Sequence, residues 1–145
     1  MKKAVRQPVR PFVTGPYELE VRRSAINGTG LFAHSPLPAR RKLGELSGQL
    51  VKLPQAWRDA EGKPKIYLVQ VAARWALDCS QGNPFRLINH SCDANCYLRV
   101  FNRRVEVYTR RAVAAGDELT VDYVETPHRK GMRCHCGAAN CRGVL

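Results

Sequence analysis

The chain has 145 residues, 44% of them hydrophobic, and a formal net charge of +12 from 24 Lys+Arg against 12 Asp+Glu. That length fits one domain able to bury about 70% of its unfolded surface, and the apolar content excludes global disorder. The charge fits either a solvated surface or a polyanionic partner such as nucleic acid, but the basic residues are scattered, with few aromatics between them, and form no recognisable nucleic-acid motif.

The start, "MKKAVRQPVRPFVTGPYELEV", is basic without an apolar h-region, so it does not read as a signal peptide. No apolar run approaches the roughly 20 residues of a membrane span. The expectation is an intracellular protein (cytoplasm or nucleus) with no membrane partner. In reducing surroundings its six cysteines are read as metal ligands or buried thiols before disulfides.

Residues 1–16, with Pro8, Pro11 and Pro16, read as a basic tail or extended lead-in. Alternation at the start of "YELEVRRSAI" (17–26) predicts a strand, "NGTG" (27–30) a turn, and "LFA" a resumed extended run. "SPLPARRKLG" (35–44) reads as a loop, and "ELSGQLVKL" (45–53) as short strands broken at Gly48. "PQAWRDAEG" (54–62) suits a brief helix started by Pro and stopped by Gly. "IYLVQVAARWALDC" (66–79) suits two short strands, with turn-forming residues on either side. A helical turn is expected within "PFRLINHS". The clearest pattern is "CYLRVFNRRVEVYTRRAV" (96–113), two alternating runs around "FNRR" and hence a β-hairpin. "AAGDELTVDYV" (114–124) turns at glycine into another strand, and the final 21 residues are polar, Cys-rich and aperiodic. The sum is a mainly β domain of many short strands with a small C-terminal appendage.

Four stretches carry chemistry. Cys134, Cys136 and Cys141 form a C-x-C-x4-C set; pairing two as a disulfide leaves one over, whereas a tetrahedral zinc site needs one more ligand. From the residues alone that donor stays open among Cys92, Cys96, Cys79, His135 and His128. "RLINHSC" (86–92) sets an apolar pair beside Asn89, His90, Ser91 and Cys92, groups that hydrogen-bond a ligand or bind a metal. If Cys92 completes the zinc set, the tail is pinned there and walls a pocket beside Asn89 and His90. "NGTG" alone is most often only a turn; its functional reading is close approach of a ligand to backbone without Cβ atoms. Tyr123 ends "DELTVDY", and with an ordinary pKa near 10 a tyrosine is a poor base at neutral pH. There is no P-loop, no G-x-S-x-G and no H-E-x-x-H.

Taken in order, "NGTGLFA", "GELSG", "RLINHSCDANC", "AAGDELTVDY" and "CHCGAANCRGVL" closely resemble the SET-domain protein lysine methyltransferases with a post-SET cysteine module, from about residue 17 to the end. The resemblance implies a mainly β fold of small curled sheets with a knot-like C-terminal threading. It divides the chain into a tail (1–16), a catalytic domain (17–124) and a post-SET zinc-binding segment (125–145). It implies S-adenosylmethionine as methyl donor, held by Asn27, Gly28, Thr29, Gly30, Arg86, Asn89, His90 and Tyr123, with Tyr123 also catalytic. It assigns zinc to Cys92, Cys134, Cys136 and Cys141, leaving Cys79 and Cys96 as small buried hydrophobes. The partner it implies is a lysine-containing protein, a histone or another basic nucleic-acid-associated protein, with the basic surface open to nucleic acid.

Some positions depart from the family pattern. Leu46 and Val121 stand in the substrate channel where members often carry Tyr or Phe, Asn27 where many have Lys, and Ala94 where Pro is frequent. With Tyr67 the other expected channel residue, the channel is less polar than usual, which predicts products beyond monomethyl-lysine. Tyr67, Trp75 and Tyr97 are the aromatics able to refill it. Two other readings compete. One is a non-catalytic SET-like module binding peptide or nucleic acid, opposed by the joint presence of Tyr123, Asn89 and His90. The other is a zinc-dependent nucleic-acid-binding protein, favoured by the charge and opposed by its scatter.

Overall fold

The computed structural model describes residues 9–63, 67–123 and 133–144. Strands dominate, gathered in small sheets. In the first, β1 (Arg10–Thr14), β2 (Tyr17–Arg23) and β3 (Thr29–Ala33) pair antiparallel in that order. Gly15, at φ +57°, makes the left-handed turn between β1 and β2. The alternation of β2 buries Leu19 and Val21 on one face. The second sheet has the order β4 (Lys42–Leu46), β10 (Arg104–Thr109), β9 (Cys96–Phe101). Its β9–β10 hairpin turns through Asn102 and Arg103, both at positive φ, the twist that matches flanking strands.

The third sheet runs β5 (Gln49–Lys52), β7 (Trp75–Asp78), β6 (Leu68–Ala72), and the helix α1 (Leu53–Ala60) follows β5 with proline in its first turn. A 3₁₀ turn at Pro84–Leu87 leads into β8 (Asn89–His90), which pairs in parallel with β11 (Thr120–Val121). The main core gathers Leu19, Leu31, Val107 and Val121 from three strand pairings, with Leu119 just before β11 and Cys96 of β9 joining it. Cys79 and Cys96 are buried, and burial pushes both thiols up to about 12, as inert apolar fillers behave. Among the described residues no helix is long and apolar enough to cross a membrane.

The structure differs from the sequence reading at three places. Lys42–Gly44, read as the end of a loop, begin β4, because Gly44 and Lys42 pair with Val107 and Tyr108 of β10. Arg10–Thr14, assigned to the tail, is a sheet strand because Phe12 packs edge-on against Phe85 at 5.2 Å and Thr14 Oγ1 donates to Leu43 O at 2.7 Å. The alternating run at 118–123 forms only a two-residue strand, because Leu119 N donates to Leu31 O before the chain switches partner to β8. The expected boundary at 124/125, the first eight residues and His128 lie outside the described residues.

Candidate functional site

The parallel β8–β11 pair sets Asn89 opposite Thr120 and His90 opposite Val121, and Ser91 N extends it by donating to Val121 O. Asn95 clamps the same segment: its Nδ2 donates to Glu118 O at 2.8 Å and its Oδ1 accepts from Thr120 N at 2.9 Å. Asn89 and His90 are 3% and 4% exposed, so both need internal partners.

Asn89 Nδ2 donates to Asn27 O at 3.0 Å and to Glu118 Oε1 at 2.8 Å. Ser24 Oγ donates to the same carboxylate at 2.7 Å and accepts from Ile26 N, while Ser24 N donates to Gly28 O. The turn carrying Asn27, Gly28 and Thr29 is thereby tied to Asn89 through one carboxylate. Gly28 takes φ +49°, and a Cβ on Gly30 would collide with Glu118 Oε1, so both glycines answer to this geometry. Sequence reasoning missed Glu118 and Ser24. Residue order offered no signal that separates Glu118 from its neighbours Asp117 and Asp122 in the same run.

Tyr123 joins this cluster through its backbone. Its N–H donates to His90 Nδ1 at 2.9 Å, and its hydroxyl donates to Ile88 O at 2.7 Å. A backbone N–H can only donate, so Nδ1 carries the lone pair and neutral His90 carries its proton on Nε2, 3.3 Å from Cys92 Sγ. Burial lowers the pKa of His90, favouring that neutral form, with the Asp122 carboxylate opposing. Burial likewise pushes the Tyr123 phenol above its usual range, so it stays protonated.

The Sγ atoms of Cys92, Cys134, Cys136 and Cys141 all lie within 4.8 Å of one another. Tetrahedral Zn–S bonds of about 2.3 Å require sulfurs about 3.8 Å apart, and Cys92 and Cys134 stand at 3.9 Å. Burial opposes the Cys136 thiolate, but hydrogen bonds from the Cys92 and Ala138 backbone, with Cys134 and Cys141 beside it, bring it down to about 6. The donor set fits a metal site of four thiolates. Of the open candidates for the last ligand, Cys92 stands in the cluster; Cys79, Cys96 and His135 do not. Arg142 completes the docking: its N–H donates to Cys92 Sγ at 3.3 Å, and its guanidinium grips Asp122 at 2.6 and 3.1 Å. Arg142 holds the Asp122 carboxyl below the usual carboxylate range. Neither residue was singled out from sequence.

Tyr123 also borders a cavity of ≈ 850 Å³ whose walls include Leu46, Tyr67, Val121, Arg86 and Ile88. The three expected channel residues are thus in one space with Tyr123. Tyr97 and Trp57 add aromatic wall, whereas Trp75 does not line it. Arg86 points a guanidinium N–H at Gly82 O rather than at Asn89 or His90. The arrangement offers a mostly apolar cavity ending at a neutral phenol, next to a glycine turn, an amide and a carboxylate.

A family model for the SET domain matches residues 28–124. The chain is 32% identical over 138 residues to the histone-lysine N-methyltransferase SETD1 of Drosophila melanogaster, covering 88% of this chain and 8% of that protein. It is 35% identical over 136 residues to the H3 lysine-4 specific histone-lysine N-methyltransferase of Saccharomyces cerevisiae, covering 85% of this chain and 13% of that one. The chain therefore spans only a small part of these relatives. A crystal structure of KRYPTONITE in complex with mCHG DNA and SAH superposes with a TM-score of 0.74 at 26% identity, covering 89% of this chain and 29% of that one.

Proposed function

This chain belongs to the SET-domain family, and we propose that it transfers methyl groups from S-adenosylmethionine to lysine side chains of a chromatin protein, a histone or another basic nucleic-acid-associated protein. The observation that carries this reading is Tyr123, just past β11, which donates its N–H to His90 beside Asn89 on β8 and itself borders the cavity lined by Leu46, Tyr67 and Val121. The relatives named as histone-lysine methyltransferases and the SAH in the KRYPTONITE complex support it. Residues 17–124 are the catalytic domain on this reading, and 125–145 the post-SET segment.

The donor supplies an electrophilic methyl group on a sulfonium. The residues present suit a zwitterionic molecule: the Glu118 carboxylate matches an ammonium, and Asn89 has used Nδ2 internally, leaving Oδ1 to accept. Asn27, Gly28, Thr29 and Gly30 present backbone, and His90 fixes the Tyr123 backbone from behind. The cavity walls exclude water from the lysine, and that desolvation favours the neutral, nucleophilic amine. Tyr123 stays a neutral phenol; it orients the reacting groups through its oxygen and takes no proton. Zinc on the cysteine cluster would hold the tail against β8. Arg86 serves as a wall of the cavity.

Tyr123→Phe is expected to lower turnover about 100-fold while donor affinity changes by less than about twofold, measured with radiolabelled donor on mixed histones. Equal turnover would remove Tyr123 from this role. Leu46 and Val121 offer the amine no hydrogen bond, and an apolar wall suits a less hydrated, methylated amine. The parent protein should therefore reach di- or trimethyl-lysine, and Val121→Tyr should shift it toward monomethyl, as mass spectrometry of the product would show.

A further inference from the structure

The fold gathers cations that the sequence scatters. At the open end of the second and third sheets, the tip of the β9–β10 hairpin lies beside the β6–β7 turn. Arg103 at the first tip holds its guanidinium 5.4 Å from the Trp75 ring centroid, and Arg74 stands exposed at the second. Lys52 pairs with Trp75 across the sheet. On the outer face of β9, Arg99 lies 5.4 Å from the Phe101 ring, which is 55% exposed, and Arg104 is the cross-strand neighbour of Phe101. Among the described residues Glu45 and Glu106 form the ion pairs here, with Arg104, Arg99 and Lys42, and Asp59 and Asp78 border the groove that Lys52 lines without pairing with it. Among the described residues Lys52, Arg74 and Arg103 form no salt bridge. None of Lys52, Arg74, Arg103 or Phe101 borders the cavity of the candidate active site.

Two features set this hairpin tip apart. Arg103 sits at φ 59°, a left-handed conformation that strains an ordinary residue and that glycine takes freely. An arginine kept there places a cation over an indole at a hairpin tip. Phe101, a large apolar ring, is left in solvent among those cations.

We propose that this hairpin tip binds single-stranded nucleic acid, with Arg74, Arg103 and Lys52 on phosphates and the exposed Phe101 ring stacking on a base. An exposed ring needs an unstacked base, which a duplex does not offer. The surface would dock the nucleic acid of a nucleoprotein substrate, and its test does not depend on methyl transfer.

The probe is a fluorescein-labelled oligo-dT of about 20 nucleotides read by anisotropy across a salt series, long enough to span one binding site. Arg103→Gly removes one cation, relieves the backbone and gives up the contact with Trp75; with the unfolding midpoint checked against the parent's, the slope of log K on log salt should fall by about 0.7. Phe101→Ala should weaken binding about tenfold with the slope unchanged. Arg40→Gly is the matched control, since Arg40 is also left-handed (φ 55°) but stands where Arg40 N donates to Thr109 O, at the opposite end of β10. It should leave slope and affinity near the parent's, and all three variants should methylate a free peptide at the parent's rate. Equal losses for Arg40→Gly and Arg103→Gly would overturn the proposal in favour of net charge alone. So would an unaffected Phe101→Ala, tighter binding of the matching duplex, or displacement of the oligonucleotide by polyglutamate of equal charge.

Discussion

The sheet body and the C-terminal segment are held by different physics. Residues 10–121 bury a continuous core in which Leu19, Leu31, Val107 and Leu119 have almost no exposed surface. Residues 133–144 contain one isolated bridge, Arg133 with Val144, and no buried apolar side chain. That segment is fastened by sulfur contacts to Cys92, by Asn140 Nδ2 donating to Cys92 O, and by the Arg142–Asp122 pair. Burial stabilises the first region cooperatively; a few point fastenings stabilise the second. All of these fastenings land on Cys92 or Asp122, within two residues of His90 or Tyr123, so a segment with little folding energy of its own can still control the site.

Zinc removal tests this division most severely. Metal analysis should find one zinc per chain. Chelation should abolish methyl transfer and release amide protection across 133–144, while protection in 10–121 persists; a body that melts with the metal would contradict it. Next in size is Leu31→Ala, at a side chain with 0% exposure, expected to cost the body about 3 kcal/mol in denaturant unfolding while zinc stoichiometry holds.

Arg142→Ala should act in the opposite sense, loosening the tail and lowering turnover a few-fold. The pair is largely solvent-screened, so its loss should leave the body's unfolding midpoint in place. The smallest effect belongs to His34 and Glu20, which lie close together at the first sheet. The hydrogen bond to Glu20, reinforced by its charge, raises the His34 pKa above 6.5. That stabilisation is fully present below pH 6.5 and is lost as pH rises through the raised value. Glu20→Gln should thus lower the body's melting temperature slightly near the lower end of that window, with the gap to the parent closing as pH rises and tail protection unaltered.

Much of this was legible in residue order. Alternation marked the β9–β10 hairpin, Pro and Gly bracketed α1, and the C-x-C-x4-C spacing demanded another ligand, because these signals are local and depend on side-chain period, backbone freedom or coordination number. The motifs around Asn89, His90 and Tyr123 pointed to the family for the same reason. What residue order left undecided is set by contacts between distant segments. It left five donors open beside the three tail cysteines, and only the fold brings Cys92 to within 4.8 Å of them. It gave no reason to choose Glu118 over Asp117, until Asn89, Ser24 and Gly30 converge on one carboxylate. It read Arg10–Thr14 as a tail, since the value of a short edge strand depends on Phe85, far along the chain, being there to pack on. Periodicity and spacing act within a few residues and so are written in the sequence, whereas the burial of a polar group or the gathering of charges depends on which remote segment arrives beside it, and that the tertiary structure alone decides.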